Sequence, residues 1–137
     1  MYLVDTDWIA DYLGGKQSAV DLLESLKDDG LAISLVTFGE IYDGVYHGRD
    51  PIAAERNFAA LLGRIVVIDL NQAIMKRFAH IRGGLRATGR VIGDTDILIA
   101  ATAIEHGLSL VTRNRRHYDR IPGLTLYELP TTPPASP

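Results

Sequence analysis

Short apolar runs alternate along this chain with longer stretches in which apolar residues recur every three or four positions. The runs at 2–5, 31–34, 65–68, 108–111 and 124–127 are too short for helices and are rich in Val, Ile, Leu and Tyr, so they predict strands. Between them lie helical patterns. Residues 7–13 form one that ends at Gly14-Gly15, and 18–27 a second with Val20, Leu22, Leu23 and Leu26 facing inward. Two more span 37–45 and 51–62, the latter opening on Pro51, where a missing N–H costs nothing. The stretch 71–88 repeats Ile74, Phe78, Ile81 and Leu85 at helical spacing, with Gly83-Gly84 weakening its middle. Residues 97–105 are apolar nearly all round, which predicts a buried helix stopped by Gly107.

Strands separated by helices imply a three-layer α/β/α fold with a central parallel sheet of about five strands, because right-handed crossovers place helices on both faces. A chain of 137 residues suits one domain, expected at 1–129, and the Pro-rich stretch 130–137 reads as a disordered tail. No internal repeat divides it. The longest apolar run, near 97–104, is far below the roughly 20 residues a bilayer requires, so no membrane span is expected. Asp5 and Asp7 stand where a secretory signal would carry a basic start and a longer apolar stretch. The absence of cysteine excludes a disulfide framework or thiolate metal site and favours a reducing cytoplasm.

Charge changes the picture through its placement. The chain carries a net −3, yet residues 76–120 hold nine basic and four acidic side chains, a local charge of +5. Such asymmetry suits a protein that holds a cation with one set of groups and a polyanion with another; a solvated surface with internal ion pairs explains it equally well.

The acidic residues cluster at element boundaries. Asp5 ends the first strand, Glu40 follows the second, and Asp94 and Asp96 precede the buried helix. Ligands gather at the carboxyl ends of parallel strands, so carboxylates converging there read as a divalent-cation site for phosphate chemistry. Ser34 and Thr37 bracket the end of the second strand, and Thr112, Arg113 and Asn114 follow the fourth at the same expected edge. Each has a structural alternative. Glu40 lies three residues after Thr37, the capping-box spacing. Asp94 and Asp96 suit a helix cap, as does Asp7, for which the cap is the preferred reading. Asp5 has less of an alternative, since a carboxylate ending an inner strand is costly to bury without a cation or strong donors.

Val4-Asp5-Thr6-Asp7, then Ile33 to Gly44, then Ile92 to Ala101, then Leu110-Val111-Thr112-Arg113-Asn114 with His117-Tyr118, resemble a PIN-domain ribonuclease of the VapC toxin type. The resemblance runs from residue 2 to about 128 in the family's order. It implies that Asp5, Glu40, Asp96 and Asn114 are the catalytic set, with Asp5, Glu40 and Asp96 holding Mg²⁺ or Mn²⁺, and leaves Asp94, two residues before the usual carboxylate, as an additional ligand, a group supporting the ligands or merely the helix cap. Thr6, Ser34, Thr37, Thr112 and His117 are then expected to support these groups, His117 standing where relatives often carry an acid. The implied reaction is metal-dependent hydrolysis of single-stranded or loop RNA, leaving a 5′-phosphate and a 3′-hydroxyl. Arg113, Arg115, Arg116, Arg82 and Arg86 are the expected RNA contacts, with Arg90 continuing the stripe of the last two. Implied partners are the RNA, a cognate antitoxin and a second copy of the chain, with Ile41, Tyr42, Val45, Tyr46, Phe58 and Leu62 as candidates for an exposed apolar surface or for core.

Two rival readings use the same residues. Asp5-Thr6-Asp7 satisfies the Asp-x-Asp signature of a haloacid-dehalogenase-like phosphatase, with Asp5 as nucleophile, Asp7 as general acid and Lys76 as phosphoryl partner, but that reading leaves Glu40 without a role. A receiver-like binding module would use Asp5, Asp7 and Asp69 as an acidic pocket and lacks its lysine after the last strands.

Overall fold

The computed structural model describes residues 1–130. Its strands are β1 (Tyr2–Val4), β2 (Leu31–Ser34), β3 (Val66–Ile68) and β4 (Ser109–Val111), all parallel, in the order β3-β2-β1-β4. Helices α1 (Thr6–Leu13), α2 (Gln17–Leu26), α3 (Leu35–His47) and α4 (Pro51–Leu62) cover one face, and α5 (Gln72–Ala87), α6 (Asp94–His106) and α7 (Arg115–Tyr118) the other. The two-residue period of the strands explains the division. Leu3, Ala32 and Leu110 pack toward α5 and α6, whereas Val4, Ile33 and Val111 pack toward α1–α4. Both faces are covered, so the strands read as continuous apolar runs rather than as alternating ones.

The register brings the functional edge together. Val4 pairs with Val111 and Leu3 with Ala32, so Asp5, Ser34 and Thr112 all stand at the carboxyl ends of three adjacent strands, on one edge of the sheet. Helices start there because side chains cap them: Asp5 for α1, accepting from Thr6 N–H, and Ser34 for α3, accepting from Thr37 N–H.

The structure corrects several expectations. The sheet has four strands rather than about five. Residues 124–127 make a single parallel bridge, Leu110 to Leu126, with Leu110 N–H donating to Thr125 O and Tyr127 N–H to Leu110 O, both at 2.9 Å. The segment lies between Pro122-Gly123 and Pro130, whose prolines cannot donate to a ladder. Helix α3 begins at Leu35, two residues early, because Ser34 rather than Thr37 caps it; Glu40 is thereby removed from a capping box. Asp5, not Asp7, caps α1. Helix α6 begins at Asp94 with no side-chain cap, so Asp94 and Asp96 belong to its first turn. Helix α5 runs unbroken through Gly83-Gly84, held by extensive packing on α6, and ends before Arg90, which is therefore not on its stripe. Ala19 is buried where Val20 was expected. Ile41, Val45 and Phe58 are core, Tyr42 and Leu62 are half-buried, and Tyr46 alone of that group is exposed. Most of the expected tail, 131–137, lies outside the described residues. No helix among them is long and apolar enough to cross a membrane.

Candidate active site

Asp5 is the buried centre of the edge, only 4% exposed. Its Oδ1 accepts from Thr6 N–H at 2.8 Å and its Oδ2 from the Thr112 hydroxyl at 2.7 Å. Thr112 Oγ1 in turn accepts from Asn114 N–H at 3.0 Å, so the turn after β4 holds the carboxylate that ends β1. Burial pushes the Asp5 pKa up, the Asp96 and Asp7 charges add to the rise, and the two donors oppose it.

Glu40 reaches the same edge from α3. Thr6 Oγ1 lies 2.8 Å from Glu40 Oε1 and 2.9 Å from Thr37 Oγ1, and Ser34 Oγ lies 3.4 Å from Thr37 Oγ1. Proton counting fixes the direction of this chain. Each hydroxyl has one proton, and an ionised carboxylate only accepts, so Thr6 donates to Glu40, Thr37 donates to Thr6 and Ser34 donates to Thr37. Thr37 N–H closes the loop by donating to Ser34 Oγ at 3.1 Å. The buried hydroxyls of Ser34 and Thr37 thus aim a carboxylate that is itself exposed.

Asp96, in the first turn of α6, is gripped from α7. Tyr118 donates its hydroxyl to Asp96 Oδ1 at 3.1 Å and His117 Nδ1 lies 3.1 Å from Asp96 Oδ2. Tyr118 is 1% exposed, and burial together with the charges of Asp5, Asp96 and Glu40 drives its pKa far up. It is a fixed donor, and the three carboxylates act on it together. Tyr118 was not among the residues singled out for a role by sequence, because a buried tyrosine after a histidine carries no local signal of what its hydroxyl meets.

The other candidates divide. Asn114 is half-buried and its Nδ2 lies 3.5 Å from Asp7 Oδ2, the outer limit of a hydrogen bond. Asp94 pairs with Arg82 Nε at 3.0 Å on the surface. Arg113 is bound to Asp11 and stacked on Trp8, its guanidinium carbon 3.9 Å from the ring centroid. Arg115 contacts Glu128 at 3.0 Å. Arg86 and Arg116 are exposed and make no ion pair among the described residues.

No group of three or more His, Asp or Glu among the described residues forms a ready-made metal cage. Mg²⁺ does not require such a cage, since it keeps several waters and binds through one or two carboxylates plus substrate phosphates. The donor set is all oxygen, and the desolvated Asp5 carboxylate would be relieved by a cation.

The rival readings lose their partners. Lys76 lines a surface cavity with Ala73, Arg77, His80 and Glu105, away from Asp5. Asp69 follows β3, two strands from β1, or about 10 Å at normal strand spacing.

The PIN domain family model matches residues 2–124. Ribonuclease VapC2 of Rickettsia felis is 32% identical over 129 residues, covering 92% of this chain and 96% of that protein. The tRNA(fMet)-specific endonuclease VapC of Shigella flexneri is 32% identical over 126 residues, covering 90% and 93%. Among solved structures, VapBC2 from Rickettsia felis bound to a DNA fragment from its promoter superimposes with a TM-score of 0.85 at 28% identity, over 92% of this chain and 96% of that one. Four parallel strands with carboxylates at their carboxyl edge, and sequence similarity over nearly the whole length, agree: this chain belongs to the PIN-domain family, among the VapC-type ribonucleases.

Proposed function

We propose that this chain is the RNA-cleaving toxin of a toxin–antitoxin pair, hydrolysing phosphodiester bonds at the edge formed by Asp5, Glu40, Asp96 and Asn114. The observation that carries the reading is the bracing of three carboxylates from different elements: Asp5 by Thr6 and Thr112, Glu40 by Thr6, and Asp96 by His117 and Tyr118. Holding like charges together is unfavourable in isolation, so fixing them there with donors points to a cationic ligand. Mg²⁺, or Mn²⁺ in its place, would be held by Asp5 and Asp96 with Glu40, and when bound supplies charge neutralisation of the phosphodiester and a lowered pKa for water.

The chain's own groups do the rest. Asp5 and Asp96 are held in fixed directions by buried donors, which makes the site preorganised. Glu40 is the solvent-exposed member and is aimed by Thr6, so it is the carboxylate suited to take a proton from an attacking water. Asn114 offers an amide donor to a phosphate oxygen, and Arg116, exposed in α7, offers charge to the flanking strand. The antitoxin reading rests on the structural neighbours, which include VapBC complexes, and on an apolar cavity of about 440 Å³ beside Thr6 and Glu40, lined by Ala10, Leu13, Ile41, Val45 and Ala54. An inhibitor seated there would reach the carboxylates. A homodimer remains part of the reading, with exposed Tyr46 as its marker.

The test is cleavage of total cellular RNA by antitoxin-free protein in EDTA and in excess Mg²⁺ or Mn²⁺, with Asp5→Asn and Glu40→Gln alongside. Cation-dependent cleavage lost in both variants is expected; release of phosphate from a monoester that needs Asp5 and Asp7 but survives Glu40→Gln would overturn the assignment.

A further inference from the structure

A second cavity, of about 420 Å³, opens on the other layer, between the C-terminal half of α5 and the segment after α7. Arg77, His80, Arg90 and Arg120 line it, with Ile81, Gly84, Leu85, Thr88 and Pro122, and no carboxylate is among the lining residues. Arg77 is balanced by Glu105 at 2.8 Å, and Arg120 has only the loose contact with Asp119 at 3.9 Å. Arg90 is the unusual member. Its Nη1 is shielded from solvent and meets no hydrogen-bond acceptor among the described residues.

A guanidinium nitrogen in that position is costly unless an anion completes it. The backbone is arranged to put it there. Gly89, at φ +71°, turns the chain at the end of α5, and Arg90 N–H returns to Leu85 O at 2.9 Å, the closing bond of a Schellman motif. Gly84 forms part of the wall, on the α5 side.

The cavity is tied to the carboxylate edge through α7. Arg120 follows Tyr118 by two residues, and Tyr118 holds Asp96. We infer that the cavity framed by Arg90, Arg120 and Gly84 binds one backbone phosphate of the RNA strand, on the side of the scissile linkage that faces α5 and α7. This rests on the ribonuclease reading and adds where the strand runs. Arg90 and Arg120 supply the charge-assisted donors and His80 a further donor, with no base edge read, so the contact orients the strand without choosing its sequence.

The experiment measures binding of a fluorescent single-stranded oligoribonucleotide to the intact protein in EDTA, by anisotropy across a salt series, for wild type, Arg120→Gln, Arg90→Gln and the double variant. Arg56→Gln on α4 controls for generic charge loss, and circular dichroism for folding. The double variant should lose about tenfold in affinity, and its log–log salt dependence should be shallower by about 0.7, the value for one phosphate contact on a single strand. With Mg²⁺ its KM should rise while kcat holds. Arg120 is exposed and packs no core, so Arg120→Gln keeps the test valid if Arg90→Gln fails to fold. Wild type that cuts RNA while the double variant binds and cuts equally well, or only as poorly as Arg56→Gln, overturns the cavity inference and leaves the nuclease reading standing. Wild type that neither binds nor cuts RNA overturns both.

Discussion

Thr6→Val tests the hydroxyl chain that aims Glu40. Valine keeps the branched shape of threonine and puts a methyl where the hydroxyl stood, so two hydrogen bonds are lost with little change of volume. The first is the 2.8 Å donation to Glu40 Oε1. A bond to a charged acceptor is worth about 1.5–3 kcal/mol, but Glu40 is exposed and water replaces the donor, so about 1 kcal/mol or less is lost there. The second is the acceptor for Thr37 Oγ1 at 2.9 Å, and Thr37 has no exposure to water. An orphaned buried hydroxyl costs about 1–3 kcal/mol. The sum, about 1–4 kcal/mol, should appear in urea titration as a midpoint lowered by about 0.5–2 M at unchanged slope. Cleavage by the folded variant should fall at least tenfold through kcat, since Glu40 is no longer directed, and Thr6→Ser should restore both readouts. A Thr6→Val protein as stable as Thr6→Ser, or one that cuts RNA at the wild-type rate, would refute the donor ordering and the role given to Glu40.

Tyr118→Phe keeps the buried ring and deletes the donor to half-buried Asp96; a loss of about 1–2 kcal/mol in unfolding free energy and about tenfold in kcat is expected, and an unchanged kcat would remove Tyr118 from the positioning of Asp96. Asp5 has a raised pKa through burial, so the folded chain keeps its proton to higher pH than the unfolded chain, whose value is near 3.8. Its contribution to stability is therefore full below that value and is lost as pH rises through the folded pKa. Thermal unfolding of cation-free protein should show this decline, Asp5→Asn should flatten it, and Mg²⁺ should restore stability to wild type more than to the variant. Gly89→Ala places a Cβ at φ +71° and should cost about 1 kcal/mol while weakening RNA binding through Arg90; RNA affinity equal to wild type in a folded Gly89→Ala protein would separate the turn from the cavity.

Much of the fold was legible because its signals are local. The runs that became β1 to β4 are bounded by polar or glycine residues, and the periods of α2, α4 and α5 follow from apolar faces that had to be buried. Helix starts were less legible. Ser34 and Thr37 are both acceptable caps, and only the register of β2 against β3, in which Ser34 is the last paired residue, decides between them. The fifth strand shrank to one bridge for a similar reason, since pairing depends on how the neighbouring backbone runs as well as on the segment's own sequence.

At the site, residue types along the chain show which carboxylates stand at element boundaries, because strand ends and helix starts are written in residue type, and their order carries the family. They also show that Asp5 is hard to leave without a partner. Which group braces which follows from packing alone. Thr6 with Glu40, Thr112 with Asp5, Tyr118 with Asp96 and Arg113 with Asp11 are all contacts between distant parts of the chain. The same holds for the arginines: a charge count placed a surplus in residues 76–120, but whether a guanidinium is balanced by a carboxylate, as Arg82 and Arg115 are, or lines a cavity that holds no carboxylate, as Arg90 does, depends on which elements the sheet brings alongside. Charge and hydrophobicity are properties of a residue, whereas hydrogen-bond pairing and desolvation are properties of its neighbours, and the neighbours are chosen by the packing of the sheet between its two layers of helices.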